Sequence, residues 1–235
     1  MRNIAAIARR EARAYFHSPM AYIVVGAFLL VAGYLYFGTV FLAGTASLRA
    51  FFQLAPLLFV VFAPAVAMRL VSEEIRSGTL ELLTTMPVRD HQVVLGKFLA
   101  GLAVMCSALA MTLVWAVTIA SVGELDWGPV IGGYIGLVLV AAALMAVGLM
   151  TSTWSRNQIV AFIFALLISL ALWLFDKVSL ILPPGLARVL EYLSIDVHFQ
   201  NIARGVIDSR DLVYYLSITV VALFFAVRSL RRRHA

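Results

Sequence analysis

Apolar residues fall in six long runs, roughly 20–42, 51–71, 98–122, 129–150, 157–175 and 212–228, with the polar residues gathered between them. A helix crosses the hydrocarbon core of a bilayer with about 20 mostly apolar residues, and none of the six runs carries Asp, Glu, Lys or Arg in its central part. The pattern predicts an all-α integral membrane protein: an amphipathic segment over 1–18, then a six-span transmembrane domain over 19–235. Residues 1–42 are read as retained, because the first run is too long for the apolar core of a signal peptide, although AGTAS at 43–47 supplies small residues.

Two stretches between runs have helical periodicity of their own. On a helical wheel of residues 1–17, Arg2, Arg9, Arg10 and Arg13 fall within one arc of about 100°, and Ile4, Ile7, Tyr15 and Phe16 fill the opposite half. This predicts an interfacial helix with its basic side toward anionic headgroups, broken at Ser18-Pro19. Glu11 projects from the apolar half, and two readings stay open: it snorkels to the interface, or it pairs with a basic residue of a neighbouring loop or partner. The second stretch is 176–211. Leu186, Val189, Leu190 and Leu193 form one apolar set and Phe199, Ile202, Ala203 and Val206 another, so a short helical pair is expected before the sixth span. Asp196 and His198 within it are too few to build a metal site.

Composition sharpens the membrane reading. The 235 residues are 63% hydrophobic and 13% charged, with a mean hydropathy of +0.99, against about 25% charged in soluble domains. The net charge of +6 does not form one solvated nucleic-acid face, because the basic residues sit at the ends of apolar runs. Thirteen of the eighteen Lys and Arg lie in 1–18, 69–97, 151–157 and the tail after 227; Arg49, Lys177, Arg188, Arg204 and Arg210 lie on the other side. The positive-inside rule then makes both termini and the 72–97 segment cytoplasmic and 176–211 external. Tyr34, Tyr36, Trp127, Trp173, Tyr214 and Tyr215 are read as outer borders, and Tyr15, Tyr22 and Trp154 as inner ones. The single Cys106 excludes an intrachain disulfide.

The segment 72–97, SEEIRSGTLELLTTMPVRDHQVVLGK, concentrates seven charges in an otherwise oily chain. Asp90 is read as the N-cap of the third span, and Pro87 stops a short helix that Thr79 caps. Leu80, Leu82 and Leu83 need cover that so short a segment cannot supply. The flanking Glu73, Glu74 and Glu81 are poor choices against an anionic leaflet, which favours a protein groove. Elsewhere the chain has no phosphate-binding loop, no HExxH or GxSxG and no paired catalytic carboxylates. Spans free of ionisable residues disfavour ion-coupled carriage. An energy source in another subunit is expected. Gly132 and Gly136 set up a G-x-x-x-G for close helix packing.

E-E-x-x-x-G-T-L-E-L-L-x-x-x-P-V from Glu73 to Val88, followed by Gly96-Lys97 at the start of a span, resembles the permease subunits of type-two ABC exporters. RREARAYFHSPMAY at 9–22 and the six spans extend the likeness, and HFQNIARGVIDSRDLVYYLS at 198–217 looks most like gliding-motility-type permeases. The resemblance implies that Glu73, Glu74, Gly78, Thr79, Glu81, Leu82, Leu83 and Pro87 form a coupling helix docking on a cytoplasmic ABC ATPase dimer. Arg9, Arg10, Glu11 and Arg13 would belong to the interfacial helix beside it. It further implies a second permease copy or homologue, ATP and Mg bound by the partner and not by this chain, and a place in the bacterial inner membrane. An auxiliary periplasmic or membrane protein is a further expected partner. The cargo expected of uncharged spans is amphipathic, lipid-linked or polymeric. Two alternatives stand beside this one: a membrane anchor that relays ATPase strokes to a periplasmic partner without transport, and a scaffold with no ATPase.

Overall fold

A computed structural model describes residues 2–43, 47–79, 89–123, 125–179, 181–206 and 208–234, and the described residues form ten helices and no strand. These are α1 (Arg2–His17), α2 (Pro19–Ala43), α3 (Arg49–Ala67), α4 (Arg69–Ser77), α5 (Asp90–Val122), α6 (Trp127–Ser152), α7 (Gln158–Ser179), α8 (Pro184–Leu193), α9 (Ile195–Ala203) and α10 (Ser209–His234). Six stretches are long and apolar enough to cross a membrane: α2, α3 with α4, α5, α6, α7 and α10.

Helix α6 is the axis of the bundle. In its most apolar stretch 67% of residues are buried, against 17% for α7. Lipid tails are as apolar as leucine, so helices in a bilayer gain by close backbone approach rather than by burying oil. The α6 sequence allows that approach. A Cβ on Gly148 would lie 2.5 Å from Ala67 Cβ, and one on Gly133 would lie 2.6 Å from the Phe52 ring. Beside α6, aromatic rings fill the wider gaps: Tyr36 stacks on Trp115 with centroids 5.6 Å apart, and Phe51 meets the same indole edge-on at 5.4 Å.

Several borders differ from those the hydropathy pattern predicts. The run expected to end at 71 turns at Met68 and continues as α4 to Ser77, and the span expected from 98 begins at Asp90. Hydropathy registers side-chain type, whereas a helix continues through polar residues that find partners. Asp90 is not the N-cap: Arg89 holds that position, its N–H donating to Gln92 Oε1 at 3.3 Å. Tyr36, Tyr214 and Tyr215 are buried, and Tyr214 and Tyr215 donate to the Leu193 and Ile195 carbonyls. They pack helices together instead of marking a lipid border.

The molecule has two polar ends. One, here called the terminal end, gathers α1, α4, the start of α5, the end of α6 and the tail of α10; Ser229 Oγ reaches Thr153 O there. The opposite end holds α8, α9 and the first turns of α3 and α6.

Candidate functional site

The terminal end is organised around a buried lysine. The apolar side of α1 rests on the first turns of α5, where Gly96 removes the side chain that would block it: a Cβ there would lie 2.5 Å from Ile7 Cγ2. Lys97, the next residue, is 1% exposed. Its ammonium donates to Glu74 Oε1 of α4 at 2.7 Å and to Glu11 Oε2 of α1 at 3.2 Å. An isolated buried ammonium is strongly disfavoured, so the two carboxylates are what permit Lys97 to sit there charged. Glu11 also accepts from Arg10 at 2.8 Å. Burial pushes the Glu11 carboxyl up, but the ammonium of Lys97 and the hydrogen bonds from Arg10 and Lys97 outweigh it, and the group lies below its ordinary value.

A second set of bonds fixes α4. Tyr15 of α1 donates to Val66 O at 2.8 Å, in the last turn of α3; burial raises its phenol well above the usual range. The helix path breaks at Met68, so the first N–H groups of α4 have no carbonyls behind them. Ser152, at the end of α6, supplies the missing acceptor. Its Oγ accepts from Val71 N at 3.1 Å and Ser72 N at 3.0 Å and donates to Met68 O at 2.9 Å. Ser152 thus caps α4 from eighty residues away. Arg69 then braces the outer side, donating to Glu73 at 2.9 and 3.2 Å. Between these groups lies a cleft of about 190 Å³, and Glu74 Oε2 is buried with no hydrogen-bond partner among the described residues.

The residues singled out from the sequence fall as follows. Glu73 and Glu74 lie on α4; Gly78 closes it with a φ of 72°, the left-handed region that favours glycine. Thr79 follows, its Oγ1 at 2.9 Å from Ser77 Oγ. Glu81, Leu82, Leu83 and Pro87 lie outside the described residues. Arg9, Arg10 and Arg13 are exposed on α1, and Glu11 faces inward to Lys97. Gly132 and Gly136 sit against α9: a Cβ on Gly132 would overlap the Ile202 carbonyl oxygen, and one on Gly136 would lie 3.0 Å from the Phe199 ring. Asp196 and His198 point to different partners, Asp196 to Lys177 and Gln200, His198 to Asp211 and the Tyr192 carbonyl. Among the described residues no His, Cys, Asp and Glu cluster could hold a metal ion.

Two residues of this site escape sequence reasoning. Lys97 reads only as a charge at a span border, although a carboxylate on the apolar side of α1 was a signal that some cation faces it. Ser152 gives no signal, since one hydroxyl at a helix end is ordinary.

The family model described as ABC-2 family transporter protein matches residues 5–233. The chain therefore belongs to that family, as a multi-pass membrane permease subunit of an ABC transporter, and membership implies a membrane setting and an ATPase partner. No curated protein matches the chain.

Proposed function

We propose that this ABC-2 family permease belongs to an ATP-driven exporter of the bacterial inner membrane. In this reading two permeases pair, and separate cytoplasmic ATPase subunits bind ATP and Mg and drive them. The cargo is amphipathic, lipid-linked or polymeric, and 198–217 favours the gliding-motility-type subgroup. The terminal end is cytoplasmic, and the segment that follows Gly78, with Glu81, Leu82, Leu83 and Pro87, docks on the ATPase.

The observation that carries this reading is the bracing of α4. An ATPase stroke moves a membrane domain only through a contact that does not yield, and α4 is held from three sides: by Lys97 on α5, by Ser152 on α6, and through Lys97 and Glu11 by α1. A solvated loop would need no such hold. What α4 leaves open to a partner is the exposed Arg76.

Co-purification of the ATPase with the full chain, followed by ATP hydrolysis in proteoliposomes, tests the reading. Leu82→Arg is expected to abolish stimulation of the ATPase while leaving the permease folded. Undiminished stimulation in that variant would overturn the docking assignment.

A further inference from the structure

The end of the bundle opposite α4 contains an open cavity of about 670 Å³ lined by the first turns of α3 and α6, the end of α7 and α9. That is the size of pockets that hold small organic ligands, about 300–1,000 Å³. Its walls are of two kinds. Leu48, Phe52, Val130 and Phe199 supply apolar surface, each at most 5% exposed. Arg49 and Arg204 supply charge.

The polar groups of the wall differ in how far they are already engaged. The Asp126 carboxylate caps α6 by accepting from Gly128 N at 3.1 Å. Asp196 accepts from Lys177 at 2.8 Å and from Gln200 at 2.9 Å, and Lys177 also pairs with Asp176. The Lys177 ammonium lies 5.3 Å from the centre of the Trp173 ring. By contrast, the Arg49 and Arg204 guanidiniums have no ion-pair or hydrogen-bond partner among the described residues. The Trp173 indole N–H is buried without an acceptor. Buried indole N–H groups ordinarily find one. The cavity therefore presents two exposed, unpaired guanidiniums next to an aromatic wall, and its three cations, Arg49, Arg204 and Lys177, outnumber the carboxylates of Asp126 and Asp196.

We propose that this cavity binds an anionic amphiphile, its oxyanion headgroup held by Arg49 and Arg204 and its apolar chain against Phe52 and Phe199. A free inorganic anion would leave the apolar wall uncovered; a zwitterionic headgroup would bring a further cation beside two unpaired guanidiniums. The inference stands apart from ATPase coupling, since it concerns one chain and the opposite end of the fold.

Native mass spectrometry of the full chain released from detergent micelles tests it, with phosphatidylglycerol, phosphatidylcholine and inorganic phosphate as probes. Phosphatidylglycerol is expected to remain bound at one per chain and phosphatidylcholine to be lost, with millimolar phosphate failing to displace the lipid. Arg49→Gln with Arg204→Gln should weaken retention by about tenfold or more, the scale of two charge-assisted hydrogen bonds. Arg49→Lys with Arg204→Lys should keep most of the binding, which separates lost charge from lost fold. Equal retention of the two lipids, full retention in the double glutamine variant, or displacement by phosphate alone would each overturn the proposal.

Discussion

Lys97 Nζ lies 2.7 Å from Glu74 Oε1, and this contact fastens the start of one membrane helix to the polar extension of another. The same ammonium holds Glu11 at 3.2 Å, so one cation serves two carboxylates and three helices. Breaking such a group from its centre differs from trimming its edge.

Lys97→Met leaves Glu74 without a cation and Glu11 with only the exposed Arg10. Removing one partner of a buried ion pair costs roughly 3–5 kcal/mol, and loss toward that range is expected here. Glu74→Gln should cost clearly less, because Glu11 still compensates the lysine. Thermal unfolding of the detergent-solubilised variants orders the three proteins, and a Lys97→Met variant as stable as the parent would contradict the assignment.

Acid should release α1. The Glu11 carboxyl lies below its ordinary value of 4.5 in the fold. A carboxylate whose folded value is depressed contributes stability that is present above the unfolded value and is lost as pH falls through the folded one. Hydrogen exchange of α1 should therefore stay slow at neutral pH and rise below about pH 4.5. In a Glu11→Gln variant that pH dependence should disappear.

Ser152→Ala removes the acceptor of two amides at the start of α4. A buried donor left unsatisfied costs about 1–3 kcal/mol, so the substitution should lower stability by an amount unusual for the loss of one hydroxyl. Exchange of the Val71 and Ser72 amides should accelerate while the core of α6 is unchanged. Equal protection in both proteins would show that the cap is dispensable.

Gly132→Ala and Gly26→Ala separate packing from propensity. At Gly132 the new methyl meets the backbone carbonyl of Ile202 and Gly205 Cα at 3.3 Å, groups that no rotamer change can move. A loss of about 1–3 kcal/mol is expected from overpacking. At Gly26 nothing lies within 4 Å, and replacing glycine in a helix should gain up to about 1 kcal/mol. Melting temperatures shifted in opposite directions would meet the expectation.

The six spans were legible because a bilayer leaves backbone groups no partner but each other, and it writes that demand as long apolar runs. Helices α8 and α9 were legible for a similar reason, since Leu186, Val189, Leu190 and Leu193 recur at helical spacing before a Ser194 whose side chain accepts from Asp196 N. The turn at Met68 was not legible. What permits it is a hydroxyl on Ser152, and no local pattern around 68 reports a partner eighty residues away. Lys97 stood in plain view as a charge, yet its burial depends on Glu11 and Glu74 arriving together from two other helices. Composition marks the 72–97 stretch as unusual, but only packing shows that Glu74 faces inward to Lys97 while Glu73 pairs with Arg69 on the outer side.

Helix α6 bears Ser152 at one tip and Gly132 near the other, a rod about 39 Å long at 1.5 Å per residue over its 26 residues. Its lower tip is stitched to the base of α4, and its upper part is pressed backbone to backbone on α9. One stiff strut thus joins the base of α4 to the first turn of α6, whose Pro129 and Val130 line the upper cavity.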